Sequence, residues 1–195
     1  MWHRSFIVDL LQANDQYSTT RVGNGSTTLF ITFVYGSWNA IHRRSPRNYL
    51  NSFDLGYYLW IIGGYFNVIA DMEDRKGQGL FQRNPSLDFV LFMAGKGLSD
   101  IGFSGDRFTW CSNQKGRNLS WSRLDRFLAN IRAISLFFDY RVTHLTRGLY
   151  DHSPLLLSLS SSQDQPANFR YYHHWDSLPG FQDLVSTTWG EPTHG

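Results

Sequence analysis

Five polar side chains of this 195-residue chain fall where a strand should end or a loop should begin: Tyr35, Asn67, Asp125, Asp151 and His152. Sites are often built at such positions, because loop side chains reach a substrate while the flanking strands hold them. An imidazole near carboxylates can take and return a proton near neutral pH, and amide or phenol groups can hold an anion. A single Asp-His pair belongs more often to a surface loop or a helix cap, so order and context must decide. Other residues read more plainly. His173-His174 and His3 have no acidic or cysteine partner at ligand spacing, and Cys111 beside Trp110 reads as a small buried side chain. The sequons at Asn24 and Asn118 have no leader that would bring them to glycosylation.

The elements that must position the five can be read from pattern. The segment from Thr28 to Tyr35 is β-branched, aromatic and nearly continuous in apolarity, which predicts a strand covered on both faces. Trp60 to Gly64 reads as a second strand running into glycines, with a short helix over Pro46 to Phe53 between the two. A helix should follow Asn84 as its cap, with Pro85 in the first turn. Its Leu87, Val90, Leu91 and Ala94 share one face, and Gly95 and Gly97 stop it. Phe108 to Trp110 and Arg123 to Leu128 read as β segments flanking a polar hairpin connection at Asn113 to Asn118. A short helix around Ile131 to Phe138 follows, then strands at Arg141 to Leu145 and Ser153 to Leu159, separated by the loop that holds Asp151 and His152. The serine-rich stretch beginning at Ser160 predicts a domain over residues 1–160 and, over 161–195, a linker with an amphipathic helix. Phe181, Leu184, Val185 and Trp189 form that helix's apolar face, and Asp176 or Ser177 can cap it. Strands alternating with short helices argue a layered α/β or α+β fold.

Composition narrows the class. With 42% apolar, 16% aromatic and 17% charged residues, the chain resembles neither a disordered tail nor a coiled coil. No stretch approaches the ~20 apolar residues of a membrane span. One cysteine excludes an internal disulfide framework and a zinc site built on paired cysteines. Together these predict a soluble intracellular protein of nucleus or cytoplasm. The net charge of +2 is too small to name a nucleic-acid partner. Of the 18 basic residues only Lys76, Lys96 and Lys115 are lysines. The arginine fork suits phosphate or carboxylate, although compositional bias explains the excess equally well.

Combination and order change the reading. Gly63-Gly64-Tyr65-Phe66-Asn67, Gly97-Leu98-Ser99-Asp100-Ile101-Gly102-Phe103, Phe108-Thr109-Trp110, Arg123-Leu124-Asp125-Arg126 and Asp151-His152-Ser153-Pro154-Leu155-Leu156 follow one another. In that order they resemble the endonuclease/exonuclease/phosphatase superfamily, and within it the endonuclease domain of plant non-LTR (LINE-type) retrotransposons. Phe169-Arg170-Tyr171, Trp175, Phe181, Val185 and Trp189 resemble the segment that follows this domain. The resemblance spans residues 28 to about 190. It implies an α+β, four-layer DNase-like β-sandwich, present here in part, and magnesium-dependent hydrolysis of phosphodiesters in DNA. By resemblance His152 is the catalytic imidazole, Asp125 orients it, Asp151 lies at the metal, Asn67 contacts the phosphate and Tyr35 touches the scissile phosphate.

Two departures stand against turnover. Tyr65 occupies the place of the family's water-activating aspartate, and a phenol, whose ordinary pKa is about 10, is no carboxylate at neutral pH. The family's metal-binding glutamate lies in an N-terminal half that would precede Thr28, where the acids here are Asp9 and Asp15. Glu73, in a loop after Asn67, matches a family glutamate without a metal role. The resemblance therefore implies a domain lacking its N-terminal half, with an incomplete magnesium site. It further implies an exposed apolar sheet face that promotes self-association. A non-catalytic nucleic-acid-binding remnant, with arginines and Tyr35 on backbone phosphates, and a translated pseudogene are the alternatives.

Overall fold

Thr28–Tyr35 forms the expected strand, β3, near the centre of a mixed six-stranded sheet in a computed structural model that describes residues 6–23, 27–37, 50, 57–77, 83–137, 139–160 and 180–190. Its companions are β1 (Ile7–Ala13), β2 (Tyr17–Gly23), β4 (Leu59–Tyr65), β6 (Leu98–Asp100) and β10 (Asp125–Asn130), in the order β1-β2-β3-β4-β10-β6. The β1–β2–β3 segment is an antiparallel meander, β3 and β4 run parallel, and β4 is antiparallel to β10. A three-stranded sheet joins β7 (Ser104–Gly105), β11 (Asp139–His144) and β12 (Leu155–Ser160), and another joins β5 (Arg75–Gly77), β8 (Trp110–Cys111) and β9 (Ser120–Ser122). Sheets with few helices make the fold α+β. The chain divides into two compact units, 1–163 and 164–195.

Alternation along β3 sends Phe30, Thr32 and Val34 to the face where Trp60, Ile62, Phe66 and Leu128 form the core with α1 (Arg83–Gly95). Buried hydroxyls there are paired, Thr19 Oγ1 with Thr32 Oγ1 at 3.0 Å, and Trp60 Nε1 donates to Thr32 at 3.1 Å. The opposite face of β3 is not covered along its length: Phe33 is 50% and Tyr35 67% exposed. A nearly continuous apolar run predicted cover on both faces, and the end of the strand that carries Tyr35 departs from it.

Other expectations are corrected in the same way. Helix α1 begins at Arg83, one residue before its expected cap, and is rotated from the expected face. Ser86, Phe89 and Phe92 are buried, whereas Leu87, Val90, Leu91 and Ala94 are exposed. Both sets are spaced for one helical face, but the two phenylalanines bury the larger area, and Phe89 packs on Phe66 with ring centroids 5.1 Å apart. The hairpin around Asn113 to Asn118 joins β8 to β9, with Trp110 opposite Ser122, so β10 is free to enter the large sheet. The short helix over residues 46–53 falls outside the described residues apart from Leu50, which is buried in the core.

Helix α2 (Ile131–Leu136) is capped by Asn130, whose Oδ1 accepts from Ala133 N at 3.0 Å and from Trp60 N at 3.2 Å. In the second unit α3 (Phe181–Trp189) starts at Gly180, in the left-handed region at φ 80° and without a side-chain cap; Asp176 and Ser177 lie outside the described residues. Among the described residues no helix is long and apolar enough to cross a membrane.

Candidate active site

Strand register assembles the centre of the site. Tyr35 of β3 lies opposite Tyr65 of β4, and Tyr65 lies opposite Asp125 of β10. Directly opposite residues share a sheet face, so Tyr35, Tyr65 and Asp125 form a row across three strand ends. The glycines before Tyr65 make this pairing possible. A Cβ on Gly63 would come within 2.1 Å of the Phe127 ring, and Gly64, at φ 128°, would put one 2.3 Å from the Val34 carbonyl oxygen.

His152 joins the row from the loop before β12. Its Nδ1 lies 2.9 Å from Asp125 Oδ2, which accepts the proton and leaves Nε2 as the exchanging nitrogen. The Asp125 hydrogen bond raises the His152 pKa above its ordinary 6.5; burial opposes this, and the negative charges of Asp125 and Asp151 add to the rise. The fully buried Thr109 ties both partners down. Its Oγ1 accepts from Leu124 N and Asp125 N, each at 3.0 Å, and its carbonyl accepts from Ser153 N at 2.7 Å. The Phe108-Thr109-Trp110 segment is legible as a motif, yet nothing in its composition assigns Thr109 this clamping role.

Tyr65 fills the space between the other rings. It meets His152 edge-on at 4.7 Å between centroids and 84°, and lies tilted against Tyr35 at 5.6 Å and 54°. Asn67 takes a left-handed conformation at φ 53°, which asparagine tolerates better than most residues, and its Nδ2 donates to the Gly36 carbonyl at 3.3 Å. An open cavity of ≈ 360 Å³ is lined by Tyr35, Gly36, Ser37, Tyr65 and Asn67 together with Asp15 and Gln16. The last two are not distinguished by any sequence pattern; the tight β1–β2 turn returns them to the end of β3, where Tyr35 N donates to the Gln16 carbonyl at 2.7 Å. Asp151 is brought beside His152 but is exposed, and its carbonyl accepts from Cys111 N at 2.9 Å. Four of the expected residues and Tyr65 thus converge, whereas Asp151 is exposed to solvent.

The fit to magnesium fails on these groups. Among the described residues no three His, Cys, Asp or Glu side chains gather in a way that could hold a cation. Asp125 is engaged by His152, and Glu73 is turned to Arg107 Nη2 at 2.6 Å.

The arginines flanking Asp125 serve the scaffold. Arg126, 1% exposed, donates to Asp74 Oδ2 at 3.0 Å and Asp100 Oδ2 at 3.2 Å, and Arg123 donates to Asp100 Oδ1 at 2.7 Å. Burial pushes the Asp100 pKa up, but the charges of Arg123 and Arg126 outweigh it and hold the carboxyl below its usual range. Arg123 also lies 4.5 Å from the centroid of the Phe103 ring, on which His144 stacks at 4.4 Å. These two arginines thus face carboxylates within the chain. The arginine fork suits phosphate as well as carboxylate, and sequence cannot tell an inward guanidinium from an outward one.

The two histidines respond to pH with opposite signs. Burial first, and then the charge of Arg123, lower the His144 pKa, against the hydrogen bond to the Asp106 carbonyl. His144 therefore contributes stability that is present above about pH 6.5 and is lost as pH falls through its folded value. His152, with its raised pKa, contributes stability that is present below about pH 6.5 and is lost as pH rises through its folded value. Denaturant midpoints measured across this range are expected to show the cost of His152→Gln shrinking as pH rises and the cost of His144→Gln shrinking as pH falls. Parallel pH profiles for the two variants would refute the assignment.

The chain is similar to several solved structures, and the first of these shows a DNase-like fold. The endonuclease domain of TRAS1, a telomere-specific non-LTR retrotransposon, is similar at a TM-score of 0.60 and 13% identity, covering 81% of this chain and 70% of its own. A 3′ phosphatase from Neisseria bound to a product DNA hairpin gives 0.49 and 14%, covering 80% and 71%. An AP endonuclease from Archaeoglobus fulgidus gives 0.49 and 14%, covering 72% and 64%. No family model and no curated protein matches the chain.

Proposed function

We propose that the chain is a degenerate relative of a magnesium-dependent DNA endonuclease of non-LTR retrotransposons, and that as it stands it does not turn over. One observation carries this reading: the Asp125–His152 pair is intact while Tyr65 occupies the space between His152 and Tyr35. Hydrolysis of a phosphodiester needs a water deprotonated in line with the leaving oxygen and positive charge on the phosphoryl oxygens. An aromatic ring supplies neither. The His152 imidazole, the Tyr35 phenol and the Asn67 amide remain able to meet a phosphate, so DNA is the proposed partner. A magnesium-dependent plasmid-nicking assay tests the absence of turnover, and a salt-dependent DNA titration tests the binding.

The isolated chain is also expected to self-associate. β1 is an outer strand of the large sheet, and Ile7, Leu10 and Leu11 on it are 68%, 63% and 43% exposed. An apolar outer strand is a template for another copy. Light scattering should report species larger than a monomer that bind a hydrophobic dye, and a monodisperse monomer without dye binding would refute this.

A further inference from the structure

We infer that the loop between β11 and β12 forms a nucleobase-stacking platform beside His152 and that it selects DNA whose bases are unstacked. The inference rests on the proposed reading of the site as one that meets a phosphodiester. Leu149 is 100% and Tyr150 77% exposed, so neither contributes appreciably to the core. Tyr150 precedes His152 by two residues, which places their Cα atoms at most roughly 7 Å apart. A nucleotide with its phosphate at His152 therefore has a base within reach of the phenol ring.

The loop is tied to its neighbour. Arg147 Nη1 donates to Asn113 Oδ1 at 3.2 Å, and the Arg147 guanidinium lies 4.7 Å from the centroid of the Trp121 ring, joining the loop to the β8–β9 hairpin. The Asp151 carbonyl, which accepts from Cys111 N at 2.9 Å, fixes its other end. The connected hairpin exposes Lys115 and Arg117, and the acidic side chain within the loop is Asp151. Exposed aromatic and aliphatic surface two residues from an imidazole, on a loop tied to a hairpin that exposes two cations, matches a nucleic-acid strand, which offers a flat base face and a phosphate at every step. In duplex DNA the base faces are covered by their neighbours, so stacking on Tyr150 requires a single-stranded or extruded base.

The test measures binding in the presence of a chelator, using a short single-stranded oligonucleotide that carries a fluorescent purine analogue, and its matched duplex. The unsubstituted chain is expected to bind the single strand more tightly and to quench the analogue. Tyr150→Ala should weaken single-strand binding roughly 5- to 150-fold and abolish the quenching, with a smaller effect on the duplex, whereas Tyr150→Phe keeps both. At an exposed position the substitution leaves folding intact, which a thermal melt verifies. Salt-sensitive binding that falls with His152→Ala but ignores Tyr150→Ala overturns the platform and leaves the proposed function standing. A chain that binds neither strand overturns both. A Tyr150→Ala variant that loses only self-association assigns the surface to a second copy and likewise overturns the platform.

Discussion

Supplied with magnesium and supercoiled plasmid, the purified chain is expected to nick no faster than its His152→Ala variant. A positioned general base contributes about 10²- to 10⁴-fold, and the ring of Tyr65 stands next to the imidazole where a water would have to be activated. Tyr65→Asp should leave activity very low, because among the described residues no cluster of acidic or imidazole groups is gathered to hold a cation that would neutralise the phosphoryl oxygens. Two deficits in one catalytic unit do not simply add, so restoring one exposes the other. Vigorous metal-dependent nicking by the unsubstituted chain would show that the Tyr65 ring moves aside, and the proposed loss of turnover would fall.

The largest effect on stability is expected at Asp74. Its carboxylate, 5% exposed, accepts from Arg126, whose side chain is 1% exposed, and from Ala70 N at 2.9 Å. Asp74→Ala leaves a buried guanidinium short of a partner and an amide without its acceptor, and removing one member of a buried pair costs about 3–5 kcal/mol. In a chain of this size that corresponds to a fall in Tm of about 6–20 °C. Asp9→Ala removes an exposed pair with Arg21 and should cost less than about 1 kcal/mol. Comparable melts for the two variants would show that the buried network is dispensable.

Legibility followed sequence distance. The apolar segment that became β3 could be recognised because a strand's composition is local, and the ordered motifs brought His152, Asp125, Asn67 and Tyr35 into one hypothesis. The apolar face of α1 was misread because periodicity counts spacing and not volume, and Phe89 and Phe92 outweighed the leucines. The role of Thr109 was hidden because its hydroxyl acts on backbone amides 15 and 16 residues away. The Asp74–Arg126 contact spans 52 residues and Asp100–Arg123 spans 23, distances over which no pattern in the chain marks a partner.

The parallel pairing at the middle of the large sheet also sets the order in which this chain can fold. The β1–β2–β3 meander closes short loops, whereas the row Tyr35–Tyr65–Asp125 must gather strand ends 30 and then 60 residues apart. Loop-closure entropy is spent before such contacts return any stabilisation, and sheets rich in non-local pairing fold slowly. The site is thus among the last parts of the sheet to exist. The meander can form before the row Tyr35–Tyr65–Asp125 is gathered, and at such a stage the open sheet would pair readily with another molecule.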